Sequence, residues 1–511
     1  MTSMHEAATN TYMPLTTEQQ TWREKRLTRI RQWEVENPHA NFIDEDSIHK
    51  TLRDNAEPAK ERVLDIVAKA TENATTGTTL SPADVAALTA VRDPALWEVI
   101  FETAYSIKQT VYGNRIVLFA PLYVSSPCVN NCLYCGFRSS NKTVTKRTLS
   151  PSDLHEELKA LVDAGHKRLI MVYGESPEND YRYICDTVAA AYKVKEGPGE
   201  IRRANVNAPP LFADEYRAVR SVGIGTYQVF QETYHRPTYH KVHPKDTLKA
   251  QYDWRAFALH RAQEAGIDDV AIGALFGLYD WRFEVLGLLH HAMALEKTFG
   301  VGPHTISYPR LEPAEGTPLA SHSPWLVSDA DFQKIVAIIR LMCPYTGSIL
   351  TARERPDVRR EVMRTGGVSQ MDAGSRIAVG GYSQAAREHQ PDAQQFMLGD
   401  TRSLDDFIRD LCQEGYLPSF CTAGYREGRT GANFMPLAKH ATVNRFCIAN
   451  GILTFKEYLD DYASEPVRTL GQERIIPRHV QWLDGRTPAM ANKVRENMAR
   501  MDKDASRDLH F

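Results

Sequence analysis

Cys128-Val129-Asn130-Asn131-Cys132-Leu133-Tyr134-Cys135 places three cysteines at intervals of three and two residues, just after an apolar run from Ile116 to Leu122. Three thiolates suit three irons of a [4Fe-4S] cube and leave the fourth iron open to an external ligand. A four-cysteine site has no such vacancy. A structural zinc centre would want a fourth thiolate or a histidine, and the local motif supplies neither. A disulfide framework does not suit eight cysteines in 511 residues.

Around this loop, short apolar runs alternate with amphipathic segments, the pattern of βα units on a parallel sheet. Strands are expected at 116–124, 168–173, 203–207, 226–230, 269–273, 304–310, 348–351 and 370–373. Eight strands make an α/β chain of the (β/α)8 TIM-barrel type, with chemistry on the loops after the strand C-termini. The cysteine loop follows the first strand and so lies on that face. Ser150-Pro151-Ser152-Asp153 caps a helix running to about Ala164, which Gly165 ends. A helical arm precedes the barrel, with weak amphipathicity from Trp22 to Val35 and helical spacing from Ser81 to Gln109. The alternation stops near Pro391. The expected division is a helical extension at 1–94, a barrel at 95–390 and a mainly helical C-terminal domain at 391–511.

The net charge of −3 gives no nucleic-acid footprint and no polybasic membrane patch. No apolar run is long enough to span a bilayer. The stretch from Met1 to Pro14 is polar and lacks a signal-peptide core, and its Glu6 counts against a transit peptide. The expected compartment is a reducing, anaerobic cytoplasm.

Several further positions carry chemistry. Gly174-Glu175 after the second strand either brings a carboxylate to a ligand ammonium or forms a plain βα turn. Asn205 and Asn207 share one strand face and, if inward, need a polar ligand or water, unless they are satisfied core asparagines. Gly223-Ile-Gly225 leads to Glu232, a candidate partner for a ribose. His304, Ile306, Tyr308 and Arg310 share a face of the sixth strand. If that face is inward, Arg310 lies at the cysteine-loop end and suits a substrate carboxylate, unless it forms a salt bridge. His304 then lies at the opposite mouth. Ser375 and Arg376 follow the last strand and are candidates to contact substrate or close the barrel.

The CxxxCxxC loop, with Tyr134 before its last cysteine, resembles that of the radical SAM superfamily. The phrases CVNNCLYCGFR, YGE, RRANVN, GTYQVFQETYH, LFGLYDWRFEVLGLLHHA, GVGPHTISYPRLEPAEGTPL, GGVSQMDAGSR and GRTGANFM extend the likeness over roughly residues 95 to 460. They look like the HydG/ThiH family of radical SAM tyrosine lyases, and most of all its HydG ([FeFe]-hydrogenase maturase) branch. The resemblance implies a [4Fe-4S] cluster on Cys128, Cys132 and Cys135 that chelates S-adenosylmethionine (SAM) and cleaves it to a 5′-deoxyadenosyl radical. It implies that Gly174 and Glu175 hold the SAM amino group. The implied substrate is L-tyrosine or a close analogue, cleaved at Cα–Cβ to p-cresol and dehydroglycine (2-iminoacetate). Reduced flavodoxin or ferredoxin is the implied electron donor, and hydrogenase-maturation proteins are implied partners.

One departure stands out. The HydG branch carries a second cluster on a C-terminal CxxCx22C motif and makes carbon monoxide and cyanide there. Here the motif reads Cys421-Thr-Ala-Gly424, then Cys447. Glycine has no donor, so the second iron–sulfur cluster and its products are in question. Cys412, His440 or an external ligand would have to complete the site, and His304 is the residue the resemblance suggests for a labile iron. Two alternatives remain beside a HydG-like lyase: a diverged aromatic amino-acid lyase of another pathway, and a non-catalytic iron–sulfur carrier or scaffold.

Overall fold

The structure is a computed structural model that describes residues 15–38, 41–384 and 391–511; the expectation for Met1 to Pro14 lies outside these. Eight parallel strands form a closed barrel. They are β1 (Arg115–Tyr123), β2 (Arg168–Val172), β3 (Arg203–Asn207), β4 (Thr226–Gln228), β5 (Asp269–Gly273), β6 (Thr305–Ser307), β7 (Gly347–Leu350) and β8 (Gln370–Asp372). Each pairs in parallel with the next, and β8 returns to β1 with Val117 opposite Gln370 and Phe119 opposite Asp372. Every residue of β1 is buried, as expected of a parallel strand covered on both faces. This is a (β/α)8 TIM-type barrel, with helices before it and a mainly helical C-terminal region after it.

Local chemistry sets the helix ends. Ser150 accepts a hydrogen bond from the Asp153 amide, and Pro151 opens the helix Pro151–Asp163. The expected continuous helix from Ser81 is instead two, Pro82–Thr89 and Pro94–Tyr112. The break falls where Asp93 caps the second helix and Pro94 takes its first position. The N-terminal extension also holds helices Thr17–Glu36, Glu45–Asp54 and Lys60–Thr76.

The C-terminal region is tied into the barrel. Its strand β9 (Leu417–Ser419) pairs with the start of β1, Arg115 opposite Leu417. This places the Cys421 loop beneath the barrel's N-terminal mouth. Among the described residues no helix is long and apolar enough to cross a membrane.

Candidate active site

The C-terminal mouth of the barrel opens into a cavity of about 240 Å³. Cys128, Cys132 and Cys135 all line it, with Tyr134, Gly174, Glu175, Asn207 and Glu232. The cysteine loop lies against the loop after β2. Val129 N–H donates to the Glu175 carbonyl at 2.7 Å and Gly174 N–H to the Ser125 carbonyl at 3.0 Å. A Cβ at Gly174 would come within 2.1 Å of the Pro127 carbonyl oxygen, so this approach requires glycine. Asn130 ties the parts together. Its amide donates to the Glu175 carboxylate and lies 3.7 Å from the Cys128 sulfur, and its oxygen accepts from Lys249 N–H at 2.9 Å.

The donor set fits an iron–sulfur cluster. The thiols line one cavity, yet among the described residues no three donors converge on a point where a single ion would sit. Gln395 offers an N–H to the Cys135 sulfur at 3.4 Å, the kind of contact that supports sulfur carrying negative charge. Burial pushes the Cys132 thiol up to about 12 and raises that of Cys128 as well, so metal binding at these two must displace protons. Tyr134 donates its hydroxyl to His243 Nε2 at 2.8 Å, while His243 Nδ1 faces the Tyr239 carbonyl at 2.8 Å.

Glu232 is delivered by continued pairing beyond β4, where it bridges Ala274 of the next strand. Its φ is 73°, a strained conformation for a side-chain-bearing residue. Lys249 Nζ lies 2.6 Å and Arg255 Nη2 3.3 Å from its Oε1. Burial pushes the Glu232 carboxyl up, but these two cations outweigh it and hold its pKa below the ordinary value. Asn205 and Asn207 share the β3 face that carries Arg203. Asn207 reaches the upper cavity, whereas Asn205 accepts from Arg203 Nε at 3.0 Å and from Thr226 N–H at 2.9 Å within the barrel.

Arg310 is placed differently from the expectation. Its Nε donates to Glu354 Oε1 at 3.0 Å, its Nη1 to the Val327 carbonyl at 2.9 Å, and its Nη2 lies 2.8 Å from Asp329. It does not line the cavity. The face was read from His304, but β6 begins at Thr305, and Ser307 and Pro309 turn inward instead. Tyr308 and Arg310 point out onto Phe332. A one-residue offset in a strand exchanges its faces. Ser375 and Arg376 also lie off the cavity. Ser375 Oγ donates to Asp372 at 2.8 Å, and Arg376 Nη1 to the Ser375 carbonyl at 2.9 Å.

Besides Lys249 and Arg255, which Glu232 holds, a third cation faces the cavity: Arg353, beyond the end of β7. Its guanidinium stacks 3.3 Å from the Phe396 ring centroid, and Nη1 makes one long contact, 3.4 Å, to the Arg310 carbonyl. Among the described residues it forms no ion pair. Glu312 lines the same cavity, and burial lifts its carboxyl to about 7. The run Thr351-Ala-Arg353-Glu-Arg355 after an expected strand was the available signal for Arg353. Lys249 in the turn Leu248–Ala250, Arg255 in the short helix Tyr252–Ala256 and Gln395 come from segments too short for their sequence to carry a pattern.

The opposite mouth holds a smaller cavity of about 50 Å³. Cys421, Gly424, Cys447 and His304 line it together with Arg115, Arg168 and Arg203. Burial alone would push the Cys421 thiol up, but the three guanidinium groups outweigh it and hold the thiol below its ordinary range. Burial raises Cys447. Neither alternative donor reaches this chamber. Cys412 is buried in the helix Leu404–Gln413, and His440 is exposed, its Nδ1 3.3 Å from the Thr75 carbonyl. Two thiols and a histidine do not fit a cluster that needs three thiolates. Position 424 has room for a Cβ, whose nearest neighbour would be 3.7 Å away.

The sequence matches the family model described as Radical SAM superfamily over residues 122–286 and the Biotin and Thiamin Synthesis associated domain over residues 307–417. A solved structure of HydG, a maturase of the [FeFe]-hydrogenase, is 44% identical with a TM-score of 0.87, covering 92% of this chain and 100% of that one. HydG from Carboxydothermus hydrogenoformans is 35% identical with a TM-score of 0.71, covering 93% and 98%. The 2-iminoacetate synthase of Escherichia coli is 28% identical over 351 residues, 68% of this chain and 88% of that protein. With its three thiols at the mouth of a matching barrel, the chain belongs to the radical SAM superfamily and, within it, to the HydG/ThiH family of tyrosine-lyase-type enzymes.

Proposed function

We propose that this enzyme cleaves the Cα–Cβ bond of L-tyrosine, giving p-cresol and dehydroglycine. The observation that carries the reading is the upper cavity, where three cluster-type thiols, the carboxylates of Glu175, Glu232, Glu312 and Asp372, and the Arg353 guanidinium, which forms no ion pair among the described residues, share one space of about 240 Å³. A [4Fe-4S] cluster on Cys128, Cys132 and Cys135 would supply the electron for reductive cleavage of SAM, drawn from a reduced flavodoxin or ferredoxin. Glu175 receives the SAM ammonium. Glu232, fixed by Lys249 and Arg255, receives ribose hydroxyls. Arg353 takes the amino-acid carboxylate, since a planar guanidinium binds it at two points. Glu312, with a pKa of about 7, holds or releases a proton near the substrate. Phe119, Ile170, Phe230 and Ile349 make an apolar wall for the ring and exclude water.

The lower chamber supports a narrower reading than that of the hydrogenase maturases. With Gly424 in the middle position, the chain makes little cyanide or carbon monoxide, which favours a lyase serving another pathway over a partner of hydrogenase-maturation proteins. The test is an anaerobic assay of reconstituted protein with tyrosine, SAM and dithionite. The expected result is p-cresol and 5′-deoxyadenosine with almost no cyanide. Deoxyadenosine without p-cresol would move the substrate to another amino acid, and robust cyanide would refute the reading of Gly424.

A further inference from the structure

We propose that Arg26, on the helix that precedes the barrel, is a positioning residue for SAM. The inference rests on the reading of Glu175 as the group that receives the SAM ammonium. Helix Thr17–Glu36 packs on three separate segments: the turn Pro177–Asn179 after Glu175, the turn Leu248–Ala250 that carries Lys249, and the helix Tyr252–Ala256 that carries Arg255. Its Ile30, with Leu15 just before it, joins a buried apolar cluster with Val129, Phe212, Leu248 and Trp254. Val129 lies inside the cysteine loop, so the arm backs the segments that carry the cysteines, Glu175, Lys249 and Arg255 to the upper cavity.

Arg26 is the polar centre of this contact. Its two Nη atoms donate to Glu215 at 2.8 and 3.0 Å, and its guanidinium lies 5.1 Å from the ring centroids of both Trp22 and Phe212. Glu215 is itself anchored, accepting from Phe212 N–H at 3.0 Å. Arg26 and Glu175 line a common small gap behind the upper cavity. Burial pushes the Glu175 carboxyl up, and of the three cations that oppose this Arg26 pulls hardest, ahead of Arg255 and Lys249. Those two are held by Glu232 on the cavity side. Arg26 therefore acts on Glu175 from the side away from SAM. It fixes where the carboxylate stands without competing for the ligand, and Asn130 holds it from the front.

The experiment compares the reconstituted full-length parent with Arg26→Met, Arg26→Lys and Arg29→Ala. Arg29 lies on the same helix and also stacks on Phe212, but its hydrogen bond goes to the exposed Asp214, and Glu215 stays 3.9 Å away. The Kd for SAM, the iron content and kcat at saturating SAM are measured for each. Arg26→Met should weaken SAM binding about tenfold, the size of one charge-assisted contact, with iron unchanged and kcat within about twofold. Arg26→Lys should recover part of the loss, and Arg29→Ala should bind SAM like the parent. A purely structural role predicts no split between Kd and kcat. If Arg26→Met does not fold, Glu215→Gln keeps the helix cap but loosens Arg26, and a several-fold weaker SAM affinity is expected. SAM affinity within about twofold of the parent in whichever variant folds would overturn the proposal. Failure of the parent itself to bind SAM would overturn the reading of Glu175 on which it stands.

Discussion

Replacing Arg353 with methionine separates binding from folding more cleanly than any other change in the upper cavity. The guanidinium contributes little to the fold: one backbone contact at 3.4 Å and a stack on Phe396, together worth roughly 0.5–1 kcal/mol. Its contribution to an amino-acid carboxylate should be larger, about 1.5–3 kcal/mol for a charge-assisted pair, which is about 10–150-fold in KM. Arg353→Lys keeps the charge but loses the two-point contact and should fall between. Arg310→Met should do the reverse. It strips the partner from Glu354, whose side chain is 1% exposed, at a cost of about 3–5 kcal/mol, with the tyrosine KM of the folded fraction unchanged. The assay is p-cresol formation against tyrosine concentration, beside thermal melts and uncoupled SAM cleavage. A tyrosine KM for Arg353→Met within about threefold of the parent would refute the carboxylate assignment.

Cys128→Ala, Cys132→Ala and Cys135→Ala should each abolish 5′-deoxyadenosine formation, since each removes one of three protein ligands; turnover within about tenfold of the parent in any of them would contradict the cluster assignment. The parent should bind about four irons per chain, and Gly424→Cys should raise that towards two clusters, since a side chain at 424 meets nothing closer than 3.7 Å; iron analysis of both proteins decides it. Glu284 has a pKa of about 8, raised by burial above the ordinary 4.5 against hydrogen bonds from Thr233 and the Tyr234 amide. A raised folded-state pKa means the contribution to stability is complete below about 4.5 and is lost as pH rises through about 8. Thermal melts across that window should therefore decline more steeply for the parent than for Glu284→Gln, and parallel curves would show that the carboxyl is not neutral at pH 7.

The cysteine spacing, the eight strands and their order were legible in the residues, because parallel strands buried on both faces leave apolar runs and helix caps leave Ser-Pro signals. Both Gly174-Glu175 and Glu232 were legible too, because each follows such a run directly. The Gly424 substitution could be read without coordinates, since glycine offers no donor in any fold. What only the tertiary structure decided was which way side chains face and what meets across the barrel. β6 begins one residue after His304, and that offset turned Arg310 out to Glu354 and left Arg353, beyond the end of β7, as a cavity-lining cation with no ion pair among the described residues. Closure of β8 onto β1 gathers cysteines, carboxylates and guanidinium groups from distant loops into one space. The lower chamber forms because β9 extends the barrel sheet and carries Cys421 beneath it, into a ring of arginines drawn from β1, β2 and β3. Periodicity records which residues are buried; it does not record the shear of a closed barrel, and the shear determines which buried groups become neighbours.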